Sequence, residues 1–156
     1  MSTTSSATSR IIPALVLGDL TLVRPLARAG VPTVLVTIEP DEPALWSRHT
    51  ARTLVLPPLE GATELHALRA LSVAADSIVG REGPRPLLVY GSDAALAFVA
   101  RNRVTIESRF AVTLGDEALL ACSLDKQRFY ERAVKRGVLV PETLDVDEPA
   151  ASSGRF

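Results

Sequence analysis

The chain has one cysteine and two histidines among its 156 residues. Cys122 stands alone, so no internal disulfide can form, and its solitary use fits a reducing, cytoplasmic compartment. His49 and His66 are too far apart in sequence to make a local metal pair, and no Cys/His cluster accompanies them. Apolar runs are strand-sized, which excludes a transmembrane helix. Residues 1–10 are rich in Ser and Thr, lack the apolar core of a signal peptide, and read as a disordered lead-in. The formal net charge is −1, so no global basic field draws nucleic acid or an anionic membrane. No Ser/His/Asp nucleophile set and no paired-carboxylate site can be argued from the residues. Glycine is thin where a dinucleotide fingerprint needs it: only Gly18 follows the first strand.

What is present is an ordinary globular balance, 47% apolar and 22% charged, long enough for one domain with a core or one domain and a fragment. Pro13 to Gly18 is a continuous apolar run typical of a buried parallel strand. Leu22, Val23, Leu26 and Ala27 then recur at helical spacing. Pro25 requires that helix to begin no earlier than about Thr21, or to kink, and Gly30 ends it. Pro32 to Ile38 is a second strand, Ala44 to Thr50 one helical turn, and Thr53 to Leu56 a third strand stopped by Pro57 and Pro58. Thr63 is placed to cap a helix that buries Leu65, Leu68, Leu71, Ala75 and Ile78. Pro86 to Gly91 is a fourth strand, followed by the cap-like pair Ser92-Asp93 and a helix at 94–100 apolar enough to be buried. Phe110 to Leu114 reads as a fifth strand and Asp116 to Cys122 as a short capped helix. Ser123 is then the expected cap of a last helix ending near Gly137.

Alternating strands and helices specify an α/β fold: a Rossmann-like parallel sheet of four to five strands, helices on both faces, and a short helical C-terminal extension. The expected divisions are the lead-in at 1–10, the sheet domain at 11–115, the helical extension at 116–143, and a tail or linker at 144–156. Such sheets bind ligands beyond the carboxyl ends of their strands, here at Gly18-Asp19, Glu39 and Gly91-Ser92-Asp93. Arg24 lies near the first of these ends, where a guanidinium could meet a carboxylate. In the last helix, at about 100° per residue, Phe129, Tyr130, Ala133 and Val134 share a stripe and Lys126 falls near its middle. An inward ammonium needs a partner, because burying it alone is costly, and a bound phosphate would serve. Asp125 reads as a carboxylate favoured by the helix dipole rather than an acid catalyst. Cys122 reads as a small buried hydrophobe, His66 as a surface residue, and Trp46 as a packing anchor or, if exposed, part of an interface.

Four segments carry a resemblance. They are Leu17-Gly18-Asp19 through Gly30-Val31-Pro32, Pro43 to His49 with its Ser47-Arg48-His49, Tyr90-Gly91-Ser92-Asp93, and Leu124-Asp125-Lys126 with Gly137 and Pro141-Glu142-Thr143. Their order and spacing, over roughly Pro13 to Thr143, resemble the N-terminal (pre-ATP-grasp) region of ATP-grasp carboxylate–amine and carboxylate–thiol ligases. The similarity is nearest to carbamoyl-phosphate-synthase-like and D-aspartate-ligase-like proteins. The resemblance implies that Lys126 reaches the ATP phosphates, and that Gly18, Asp19, Arg24, Ser92 and Asp93 line the wall for a small carboxylate substrate. It implies a ligase acting through an acyl phosphate, with ATP and Mg²⁺ as cofactors of the full-length enzyme. The family's lysine-bearing strand, glycine-rich phosphate loop and late acidic Mg²⁺ ligands have no match here. The chain is therefore expected to be inactive alone and to need that missing part, on the same or a separate chain. Apolar residues around Val138 to Val140 would then favour association, a homo-oligomer included. Two other functions fit the residues: a stand-alone Rossmann-like module that binds a nucleotide or small acid without catalysis, and an interaction protein docking through Phe110 to Cys122.

Overall fold

The computed structural model describes residues 11–141; the lead-in at 1–10 and the tail at 144–156 lie outside them. The chain forms two compact units, divided between Gly115 and Asp116. The first is α/β. Its strands are β1 (Ala14–Leu17), β2 (Thr33–Thr37), β3 (Arg52–Val55) and β4 (Leu87–Tyr90), all parallel, in the order β3-β2-β1-β4. Leu15 pairs with Val34 on one side and Leu88 on the other, so β1 sits between β2 and β4. Every residue of β1 and β2 is buried, as strands covered on both faces require.

Alternation sorts the side chains into two layers. Leu15, Leu17, Val34, Val36 and Leu88 face a core built with α2 (Glu64–Val79), α3 (Asp93–Arg101) and α4 (Arg103–Arg109), through Leu68, Leu71, Phe98, Val99 and Ile106. Val16 and Leu35 face the other way, against Val23 of α1 (Leu20–Arg28) and Ala44 of the 3-10 turn Pro43–Trp46. The fold class read from the sequence is thus the observed one. Buried threonines are satisfied locally: the Thr33 hydroxyl donates to the His49 carbonyl at 2.8 Å, and the Thr37 hydroxyl accepts from the Glu39 amide at 3.0 Å.

Several expectations are corrected. The strand expected at 110–114 is a single parallel bridge between Leu87 and Ala111, so the sheet has four strands among the described residues. Phe110 closes α4 through its amide and is buried in the core, Ala111 alone bonds to the sheet, at Pro86 and Leu88, and the Thr113 carbonyl accepts from the Tyr90 hydroxyl. The expected docking edge from Phe110 accordingly begins inside the core. Helix α4 went unread in the sequence because only Ile106 of its seven residues is buried. Helix α1 starts at Leu20, one residue before the limit set by Pro25, and carries that proline inside. Its Asp19 cap and the packing of Leu22, Val23 and Leu26 outweigh the lost amide. Thr63 does not cap α2; its hydroxyl donates to the carbonyls of Pro58 and Glu60. Leu65, assigned to the buried face, is 54% exposed, and Ala67 occupies that face.

The second unit, within its described residues, is a helical hairpin of α5 (Glu117–Ser123) and α6 (Lys126–Lys135). Asp116 caps α5 and Asp125 caps α6, each carboxylate accepting from first-turn amides. Ser123 is therefore not the cap of α6; its hydroxyl donates back to Leu119. Gly30 and Gly137 end α1 and α6 at φ 78° and 70°, where the following amides bond back to the third-last helical carbonyls, Leu26 and Ala133. No described helix is long and apolar enough to cross a membrane.

Phe98 is fully buried between sheet and helices. Phe98→Ala should cost about 3–5 kcal/mol, read as a lowered urea midpoint with little change in slope.

Candidate functional site

Chain order places the site. The chain runs from β1 outward through β2 to β3, then crosses back to β4 on the other side of β1. The carboxyl ends of β1 and β4 therefore flank the point where strand order reverses, the usual ligand crevice of such sheets. In the ladder Leu17 stands opposite Tyr90, and the Gly91 amide donates to the Leu17 carbonyl at 3.1 Å. Gly18 and Gly91 are thus neighbours, with Asp19 and Ser92-Asp93 next beyond them. Four of the residues singled out in the sequence, Gly18, Asp19, Ser92 and Asp93, are brought to one edge by strand pairing.

The glycines are there for close approach. A Cβ on Gly91 would lie 2.5 Å from Cδ1 of Leu22, and one on Gly18 would lie 2.9 Å from the same atom. Leu22 of α1 covers both strand ends, so at this turn the missing side chains make room for the protein's own leucine. That explains a first turn with Gly18 and no further glycines.

Asp19 and Ser92 each begin a helix, on opposite faces of the sheet. Asp19 accepts from the Thr21 amide at 2.7 Å and the Thr21 hydroxyl at 2.6 Å through one carboxylate oxygen. These bonds, the hydroxyl first, hold its pKa below the ordinary 3.8. Its charge already occupies the start of α1, where a phosphate would otherwise sit. The Ser92 hydroxyl accepts from the Ala95 amide at 3.2 Å, and Asp93 adds an exposed carboxylate in the first turn of α3. The crevice presents carboxylates and hydroxyls, and its electrostatics favour a ligand that offers ammonium or hydroxyl donors.

The other sequence-derived residues fall elsewhere. Arg24 is exposed on α1 and makes no ion pair among the described residues. Ser47 and His49 bond within their own turn, and the His49 carbonyl meets Thr33 at the opposite, amino end of β2. They brace the return to β3. Trp46 is 87% exposed, so of its two readings packing falls away. His66 is exposed, and Cys122 is buried with its thiol directed at the Arg128 carbonyl.

Lys126 corrects the sequence reading most. It is exposed, and the stripe that was to bury it is itself open, with Phe129 57% and Val134 50% exposed. Only Ala133 of α6 is buried. No desolvated ammonium calls for a phosphate, and the nucleotide role of Lys126 rests on the resemblance alone.

Sequence reasoning also missed a polar clasp. The Arg101 guanidinium bonds both oxygens of Glu64 at 3.2 Å and the Leu59 carbonyl at 2.9 Å, and Asn102 donates to Glu64 at 2.7 Å. The Arg101 bond, then that of Asn102, lowers the Glu64 pKa. The partners lie more than thirty residues apart, beyond the reach of any local pattern.

Compared with models of known protein families and with curated proteins, the sequence matches none.

Gly91→Ala should destabilise the protein by about 1–3 kcal/mol in chemical denaturation. Leu22→Ala should have a cost of its own but remove most of the added cost of Gly91→Ala, a coupling that a double-mutant cycle detects. Asp19 and Glu64 have folded pKa values below their unfolded ones. Their stabilisation is present above the unfolded carboxylate values, near pH 4, and is lost as pH falls through the folded values. In acid titration Asp19→Asn should flatten the fall in stability below about pH 4.

Proposed function

We propose that this chain is the substrate-side, pre-ATP-grasp portion of an ATP-dependent carboxylate–amine (or thiol) ligase. The observation that carries the reading is the β1–β4 crevice, where Asp19, Ser92 and Asp93 stand together at the reversal of strand order. The four matching segments, in the same order along the chain, support it further.

In this reading the crevice holds and orients a small carboxylate that also bears an amine. Asp19, kept ionised by Thr21, takes the ammonium. Ser92 and Asp93 accept from further N–H or O–H groups of the ligand, and Gly18 and Gly91 keep the strand ends close beneath them. Arg24, in the second turn of α1, is available to a carboxylate. Lys126 is the cation for an ATP phosphate, its ammonium exposed and unpaired among the described residues. ATP would supply the phosphoryl group that activates the carboxylate. Among the described residues no group of three or more His, Cys, Asp or Glu side chains is placed to hold a metal ion. In this reading phosphoryl transfer falls to protein outside the described residues. The cytoplasm is the compartment that goes with this chemistry.

The test is a titration of the labelled chain with amino acids and small carboxylates, followed by amide NMR. Shifts should centre on Gly18–Leu20 and Gly91–Ala95, and Asp19→Asn should weaken amine-bearing ligands about tenfold while sparing simple carboxylates. Shifts centred elsewhere would remove the crevice from the proposal. Micromolar binding of ATP-Mg by this chain in calorimetry would favour the alternative, a stand-alone nucleotide-binding module.

A further inference from the structure

Residues 126–136, around α6, hold a concentration of positive charge of which the proposed ligase role uses only Lys126 and the fold pairs only Arg128. Lys126, Arg128, Arg132, Lys135 and Arg136 stand against the single carboxylate of Glu131 within residues 126–136, although the whole chain has a net charge of −1. The rest of the molecule is therefore net acidic. Arg128, Glu131, Arg132, Lys135 and Arg136 line one open groove of about 310 Å³. Arg128 is paired with Asp125 at 3.2 Å. Arg132, Lys135 and Arg136 have no carboxylate within ion-pair distance among the described residues.

Like charges four residues apart on a helix repel, and Arg128, Arg132 and Arg136 are such a row. Its members are spaced about 6 Å along the axis. A second α-helix carrying carboxylates at every fourth residue repeats at the same interval, so three guanidinium–carboxylate pairs can form in one register. Arginine also matches the planar carboxylate with two parallel N–H bonds. Phe129, one turn before Arg132 and 57% exposed, borders the row with an aromatic of the kind that anchors protein interfaces. A nucleic acid would bring many phosphates against an otherwise acidic molecule, which weakens its claim.

We propose that this face of α6 docks an acidic α-helix of a partner protein, with carboxylates spaced four residues apart meeting Arg128, Arg132 and Arg136. Lys126, about a third of a turn around the helix from the middle of this row, is not part of it. The test uses the full chain and a fluorescent alanine-rich helical peptide bearing three glutamates four residues apart. A peptide of the same composition with its glutamates contiguous and an oligothymidylate serve as rivals, with anisotropy read at low salt. The aligned peptide should bind about tenfold more tightly than the contiguous one, and Arg132→Gln/Arg136→Gln should remove about tenfold of that affinity. Arg28→Gln/Arg69→Gln, which removes the same charge from exposed positions elsewhere, should leave it unchanged. Circular dichroism establishes that each variant is folded. Equal binding of the two peptides, equal loss in both double variants, or stronger binding of the oligothymidylate would overturn the proposal.

Discussion

The first unit depends on the pairing of β1 with two partners at once. β1 is bonded to β2 and β4, is buried on both faces, and contributes alternate residues to two separate cores. A strand so enclosed has no polar face to give away, so Ala14 to Leu17 is apolar throughout. The same pairing fixes the crevice. Because Leu17 stands opposite Tyr90, the residues just past both strands must arrive together, and only small ones leave space for Leu22 above them. A shift of register by one residue would exchange the two core layers and also separate Asp19 from Ser92. Fold and site are therefore held by one set of contacts.

The crevice is acidic by construction. Asp19 serves α1 by capping it, and the bonds that make it a cap also keep it ionised. A group recruited for folding thus sets the polarity offered to a ligand. A phosphate at that helix start would meet a carboxylate already in place, whereas an ammonium would meet a fixed, oriented acceptor. Under the proposed function, this polarity would favour an amine-bearing ligand over a dinucleotide more sharply than the number of glycines in the turn does.

What could be read in the sequence follows the range of the interactions. The four strands, α1 with its Gly30 stop, α3 with its Ser92 cap, and α5 with its Asp116 cap are written in residues a few positions apart. The gathering of Gly18, Asp19, Ser92 and Asp93 was legible too, because alternation of strands and helices already implied a parallel sheet with one ligand edge. Tertiary partners were not legible. Thr63 looks like a cap until Pro58 and Glu60 claim its hydroxyl, and Phe110 to Leu114 looks like a strand until Phe110 is drawn into the helical layer. The Arg101–Glu64–Asn102 clasp joins a helix start to a distant helix end and leaves no periodic trace.

The misreading of Lys126 has a different cause. A helical stripe indicates which side chains share a face; whether that face is buried depends on what is available to cover it. The α5–α6 hairpin buries little beyond Cys122 and Ala133. It is held in large part by local devices: aspartate caps at 116 and 125, and the Gly137 turn. Such devices fix helix boundaries without requiring a core, so the Gly137 stop of α6 followed from sequence, while its cap, expected at Ser123 and found at Asp125, and the burial of its stripe did not. The same independence accounts for the basic row on its other side. A helix stabilised by its ends can carry Arg128, Arg132 and Arg136 in line, at a cost of a few tenths of a kcal/mol per like-charged pair. Among the described residues only Arg128 of that row has a carboxylate partner, while Arg132 stands in the last turn of α6, where the helix dipole favours a cation.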